Sequence, residues 1–263
     1  MAKIDVIVPA GGMLPPDFAR VVGTSSKALI TLDGRTILKT TLGVIKECER
    51  LGRVVVIGPT EIQNSVNPNE ADIVLPSLNT GPENIYKGLY WLNRTDAPPE
   101  HILVLTADLP FLSMQVLDGF LERCPMDKDI CLPLVSRDDF NETFPNTDAT
   151  FVGLKDGSYT IGCAFLFKVS ALQKARPQIE AVFEKRKSKL GMARLLGLPF
   201  VWKYLTKTLS VADIEQKVKQ MIGCDGAAIY DCPAELAFDI DYLEDYHYAT
   251  ALIQTRKRVV IHK

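Results

Sequence analysis

Two groups of residues have types and spacing suited to chemistry: a glycine pair with a lysine beyond it, and a carboxylate ending an apolar run. The first group begins at Pro9-Ala10-Gly11-Gly12 and extends to Lys27. Ala10, Gly11 and Gly12 present backbone without bulky side chains, so successive N–H groups can approach phosphate oxygens, and Lys27 adds a fixed cation. This pattern predicts a triphosphate cradle. It is neither of the common phosphate loops, because Gly-x-x-x-x-Gly-Lys-[Ser/Thr] and Gly-x-Gly-x-x-Gly are both missing. The second group is the run from His101 to Ala107, which stops on Asp108 and is followed by Leu109-Pro110. Burying that carboxylate without a partner would be costly, and the carboxyl end of a central parallel strand is a good place to hold a divalent cation. Ser113 can cap the helix expected next, which leaves Asp108 free for another task.

A sheet must hold these residues. Ile4, Val6, Ile7 and Val8 are a β-branched run of the kind parallel sheets bury on both faces. Residues 36–50 are spaced as a crossover helix with Gly52 as its stop, 53–58 read as a second buried strand, and 71–75 as a third. Such alternation predicts a parallel, doubly wound sheet. A turn-rich stretch over 76–84 leads into an amphipathic helix over 85–94, with Asn79 or Thr80 available as its cap. Residues 129–134 are another strand, and the polar segment 136–148 reads as a loop over the site. Residues 150–154 and 158–167 read as an antiparallel pair turned at Asp156-Gly157.

A helical insertion is expected over 171–223, ending in a helix capped by Ser210 with Asp213 and Glu215 in its first turn. Within it, a basic run over 184–189 precedes apolar residues including Leu198, Trp202 and Leu205. That pattern reads first as a solvated face beside a small helical core or a homodimer contact; the alternative is a grip on a phosphorylated or lipid-like acceptor, or contact with a membrane surface, over 184–205. The organisation expected is one domain over 1–263: a nucleotide-binding half over 1–135, an acceptor-side region over 136–226, and a closing strand and helix over 227–263.

Bulk properties narrow the functional class. A chain of 263 residues with 47% hydrophobic and 24% charged content suits a globular α/β protein. A net charge of -2 argues against general nucleic-acid binding, which depends on many cations meeting phosphates. The six cysteines form no Cys-x-x-Cys pair and suggest reduced thiols in the cytoplasm. No stretch approaches the roughly 18 apolar residues of a membrane span, so neither export nor insertion is expected.

The order strand, Ala10-Gly11-Gly12, Arg20, Gly23, Lys27 and then a short apolar run resembles the MobA-like nucleotidyltransferases. Thr106-Ala-Asp108-Leu-Pro110 is similar to that family's Asp-x-Pro metal motif, and Asp239-Ile-Asp241 before Glu244-Asp245 is similar to its closing motif. Two departures stand out: the loop is longer at 13–18, and Tyr242-Leu243 replaces the usual Thr-Pro. The resemblance implies a three-layer α/β/α, Rossmann-like fold of the glycosyltransferase-A type with a mostly parallel mixed sheet. It further implies base and ribose contacts at Gly81, Pro82 and Asn84, and Mg²⁺ held by Asp108 with Asp239, or Asp241 in its place, since residues two apart on a strand share a face. Glu244 and Asp245 are read as anions favouring a helix start.

The reaction expected is transfer of a nucleoside monophosphate from a nucleoside triphosphate to a phosphorylated small-molecule acceptor, with Lys27, Arg20 and Asp108 as the catalytic residues. An acceptor that is already an anion needs no general base, in keeping with His101, His247 and His262 falling outside the motifs. The alternatives are a glycosyltransferase of the same architecture, which would have no clear need for Lys27, and a regulatory protein that binds nucleotide without turnover.

Overall fold

The computed structural model describes residues 3–147, 149–185 and 188–261; Asp148 of the polar segment and Arg186 and Lys187 of the basic run lie outside the described residues. The first half runs β1 (Ile4–Pro9), α1 (Pro16–Val22), a small hairpin of β2 (Thr31–Leu32) and β3 (Arg35–Thr36), α2 (Ile37–Glu47), β4 (Leu51–Gly58), α3 (Thr60–Ser65), β5 (Ile73–Pro76), α4 (Gly81–Leu92) and β6 (His101–Leu105). The second half continues α5 (Met114–Arg123), β7 (Ile130–Ser136), α6 (Arg137–Thr143), β8 (Val152–Leu154), β9 (Gly157–Ile161) and β10 (Ala164–Lys168). Then come α7 (Val169–Lys174), α8 (Arg176–Lys185), α9 (Lys189–Leu196), α10 (Leu198–Leu205), α11 (Val211–Ile222), β11 (Gly226–Ile229) and α12 (Leu243–Ile261).

The main sheet has the order β5-β4-β1-β6-β10-β7-β9-β8, with β11 beside β7. β1 is parallel to β4 and β6, and β4 to β5, so four strands present their carboxyl ends along one edge. β10 enters antiparallel between β6 and β7, which makes the sheet mixed and mostly parallel, as expected. Helices cover both faces. Val6 and Val8 pack in one core with Leu38 and Leu42 of α2 and Phe120 of α5, while Ile7 points the other way against Leu89 and Leu92 of α4. Alternation along a strand buried on both sides requires this division. The charge in that strand is also accounted for: Asp5, only 4% exposed, receives the Arg53 backbone N–H at 2.8 Å and pairs with its guanidinium.

Local sequence explains where the helices begin. Thr80, rather than Asn79, caps α4 in a full capping box with Glu83, so the helix starts at Gly81 and takes in the Gly81-Pro82-Asn84 stretch read as loop. Thr80→Ala should cost about 1 kcal/mol and lower the melting temperature by roughly 2–4 °C. A thermal melt of the pair checks this.

Four expectations need correction. The segment after Gly12 is not all loop: Pro16 at a first-turn position opens α1, and left-handed Gly23 (φ 75°) closes it. The polar segment 136–148 contains α6, capped by the Ser136 side chain, with Phe140 and Phe144 buried beneath its acidic surface. The expected strand 158–167 is two strands, broken at Gly162-Cys163, where a Cβ on Gly162 would sit 2.8 Å from the Leu236 carbonyl oxygen. The Asp239–Asp241 stretch lies in no regular strand. It does pass beside β6, since Ile240 N–H donates to Asp108 O at 3.2 Å. The helical insertion is present as α7 to α11.

Candidate active site

The glycine turn is closed by the residue expected to serve it. Beyond β1, Ala10 N–H donates to Ile57 O at 2.7 Å, fixing the turn to the neighbouring strand. The chain leaves at Gly12 and returns through a Met13–Ser26 bridge, with Leu14 N–H donating to Ser25 O at 2.8 Å and Lys27 N–H to Gly12 O at 3.0 Å. Residues 13–26 are therefore an excursion whose two ends are tied together, and its length does not displace Lys27. Gly12 has a steric reason to be glycine, because an added Cβ would lie 3.2 Å from Lys27 Cδ. If the turn holds a triphosphate, Gly12→Ala should shift the Lys27 side chain and weaken that binding several-fold with little change in melting temperature. Titration of the variant and parent by calorimetry tests it.

Lys27 faces three carboxylates, one from the turn after β6 and two from the stretch before α12. Its Nζ pairs with Asp241, and the charges of Asp108 and Asp239 also act on it. Burial alone would lower the Lys27 pKa; the Asp241 hydrogen bond and the three negative charges outweigh it and raise the pKa. Burial pushes the Asp108 carboxyl up, opposed by the Lys27 charge and reinforced by Asp241. Asp239 is pushed up to about 7, by burial first and then by the charges of Asp108 and Asp241.

The Thr106 hydroxyl is near enough to favour ionised Asp108, yet neither Thr106 Oγ1 nor Asp108 Oδ1 makes a hydrogen bond of normal geometry, although both atoms are buried. Ser26 Oγ, beside Lys27, is the same. Buried oxygens of this kind carry a desolvation cost that a bound cation or phosphate would offset.

The surrounding structure holds the two carboxylate segments together. Phe111, just after the Asp108 turn, meets Phe238, just before Asp239, edge-on with ring centroids 5.1 Å apart. Phe144, at the end of α6, packs on both, at 5.1 Å and 4.6 Å. Asp245 fixes the other side, accepting from Asp241 N–H at 3.0 Å and Tyr242 N–H at 2.7 Å. It is thus more than an anion in the first turn of α12. The i, i+4 spacing of Phe140 and Phe144 was the available signal for the aromatic cluster; nothing local pointed to Thr106 or to the capping geometry of Asp245.

Other candidates fall around this centre. Asn84 is buried, and its Oδ1 accepts from Leu78 N–H at 2.6 Å, so it shapes the turn that leads to Gly81. Gly81 lies against the Phe183 ring of α8, 3.4 Å from where its Cβ would be, and Pro82 follows it in the first turn of α4. Arg20 is not brought to the carboxylates: it sits on α1 with its side chain 78% exposed and paired with Asp17. Among the described residues no three His, Cys, Asp or Glu side chains converge closely enough to hold an ion alone.

A glycine turn after the first parallel strand, with a lysine and carboxylates gathered at the same sheet edge, is the arrangement of an enzyme that handles phosphates, and the comparisons narrow the class to nucleotidyltransferases. The chain belongs to the MobA-like NTP transferase family, whose domain model matches residues 6–204. That match ends before the segment carrying Asp239 and Asp241. A hypothetical transferase from Thermus thermophilus is similar at 28% identity and TM-score 0.82, over 92% of this chain and 99% of that one. The fold is shared with a 2-C-methyl-D-erythritol 4-phosphate cytidylyltransferase, also from Thermus thermophilus, at 20% identity and TM-score 0.56 over 96% and 99% of the two chains. It is shared too with a CMP:2-keto-3-deoxy-manno-octonic acid synthetase complexed with CTP, at 10% identity and TM-score 0.59 over 97% and 100%. No curated protein matches the chain in sequence. No described helix is long and apolar enough to cross a membrane.

Proposed function

We propose that the protein is a Mg²⁺-dependent nucleotidyltransferase that moves a nucleoside monophosphate from a nucleoside triphosphate to a phosphorylated small molecule, releasing pyrophosphate. One observation carries this reading: Lys27, returned to the glycine turn, faces Asp108, Asp239 and Asp241, and Asp108 keeps a buried oxygen without a partner. An acceptor phosphate oxygen attacks the α-phosphorus, the bond to the bridging oxygen of the β-phosphate breaks, and pyrophosphate leaves with the electron pair. The nucleophile is already charged, so no side chain need remove a proton. His101 is accordingly remote in role, holding Met126 O at 3.0 Å from the start of β6, the end away from Asp108.

Asp108 and Asp239, with Asp241 as the substitute for the latter, would hold Mg²⁺, since hard carboxylate oxygens with one lone buried acceptor fit that ion. Its chemistry there would be to anchor phosphate oxygens and neutralise their charge. Lys27 exchanges its pairing with Asp241 for a triphosphate oxygen and offsets the charge that develops on the leaving group. The backbone at Ala10, Gly11 and Gly12 orients the phosphates, and the start of α4 at Gly81, Pro82 and Asn84 bounds the nucleoside side.

A thermal-shift series with ATP, CTP, GTP and UTP, each with and without Mg²⁺, tests the reading. One triphosphate should raise the melting temperature by several degrees, and more with Mg²⁺, because a ligand bound only by the folded state stabilises it. Stabilisation by nucleotide sugars with none by any triphosphate would replace the reading with glycosyl transfer.

A further inference from the structure

Helix α10 has one side tied to the protein and the other uncovered. On the tied side, Lys203 Nζ donates to Asp213 Oδ1 of α11 at 2.7 Å, and Phe200 lines a cavity against Gln216 and Gln220. On the other, Leu198, Trp202 and Leu205 follow at spacings of four and three residues, which places them on one face. They are 85%, 69% and 69% exposed, and Tyr204 beside them is 50% exposed. A contiguous exposed apolar face on a helix whose last turn carries tryptophan, lysine and tyrosine calls for an occupant.

Charge selects among the occupants. Residues 184–207 hold seven Lys or Arg against one Glu, in a chain whose net charge is -2, and of these Lys203 is already paired with Asp213. Lys185, Arg194 and Lys207 are exposed. A symmetric dimer through this face would set the same cationic patch against itself, since a two-fold interface uses one surface twice. An anionic surface opposes it favourably instead.

We infer that α10 is a membrane-docking helix, seating Leu198, Trp202 and Leu205 at the surface of an anionic bilayer while the exposed Lys185, Arg194 and Lys207 meet lipid headgroups. Docking is peripheral and brings the reaction site with it: α8 joins this patch to the nucleotide side of the fold, its Phe183 ring packed against Gly81.

The test is co-sedimentation of the full chain with phosphatidylglycerol vesicles and, separately, phosphatidylcholine vesicles, with tryptophan fluorescence recorded in parallel. The parent should sediment with phosphatidylglycerol and show a blue shift. Partitioning should fall about tenfold or more in Trp202→Ser/Leu205→Ser, in Arg194→Gln/Lys207→Gln and at raised salt. Melting temperatures should hold, because every altered side chain is exposed. Failure to sediment with phosphatidylglycerol overturns the inference, as does equal binding to both lipids that the variants leave unchanged. A dimer that Trp202→Ser/Leu205→Ser splits, with no vesicle binding by the parent, overturns it in favour of a contact between copies.

Discussion

Asp108→Asn should remove Mg²⁺-dependent turnover by roughly three orders of magnitude or more and, in the same protein without metal, raise the melting temperature. The two effects have one cause. Asp108, Asp239 and Asp241 are gathered around a single ammonium, and burial and mutual repulsion push Asp108 and Asp239 up, the latter to about 7. A carboxyl whose pKa is raised on folding contributes stability that is present below its unfolded value and lost as pH rises through the folded value. For Asp239 that loss runs from about 3.8 to about 7, and for Asp108 the direction is the same.

The asparagine variant escapes the loss, so its advantage should be larger at pH 8 than at pH 4. Melting curves at both pH values and turnover at saturating Mg²⁺ check the two halves. Undiminished turnover would sink the metal assignment. A lower melting temperature at pH 8 would mean that Asp108 serves the fold as a hydrogen-bonding partner.

Lys27→Met should also impair activity, but with the opposite sign in stability. The lysine is the counter-ion of the same three carboxylates, and its side chain is only 18% exposed. Its own pKa is raised, so its charge is fully present below 10.5 and is lost only as pH rises through the higher folded value; between pH 4 and 9 it does not titrate. What changes over that range is the ionisation of the carboxylates it neutralises. The destabilisation should therefore grow from pH 4 to pH 8. Loss of one preorganised charge contact predicts a fall of about 2–4 kcal/mol in transition-state stabilisation, or roughly 30- to 1,000-fold in kcat/KM. The double variant with Asp108→Asn should recover part of the lost stability and none of the activity, a coupling that a double-mutant cycle measures. Unchanged nucleotide affinity and rate in Lys27→Met would mean that the turn at Gly12 is not a triphosphate cradle.

What could be read from the sequence was what local pattern encodes. β1 and β6 are apolar runs that stop abruptly at Ala10 and near Asp108, and burial on both faces allows little else. The Ser113 and Ser210 caps are equally local. Elements whose signal is tertiary were missed. Pro15-Pro16 reads as loop until Pro16 is seen in the first turn of a helix, and only then do Asp17 and Arg20 fall three apart on one face and pair. α6 shows acids to solvent, and its identity rests on Phe140 and Phe144 meeting Phe238, far along the chain. The break between β9 and β10 exists because the Leu236 carbonyl approaches Gly162, which no property of residues 158–167 announces.

The Lys27–Asp241 pair joins residues 214 positions apart, and this bears on how the protein is made. At roughly 5–20 residues per second, some 10–40 s of synthesis separate the lysine from its aspartate. During that interval the nascent chain holds the glycine turn and Lys27 without Asp239, Asp241 or the Ile240 bond to Asp108. Synthesis thus delivers the glycine turn and Lys27 well before Asp239 and Asp241, and the pairing that closes the two segments together forms only once the stretch before α12 has docked.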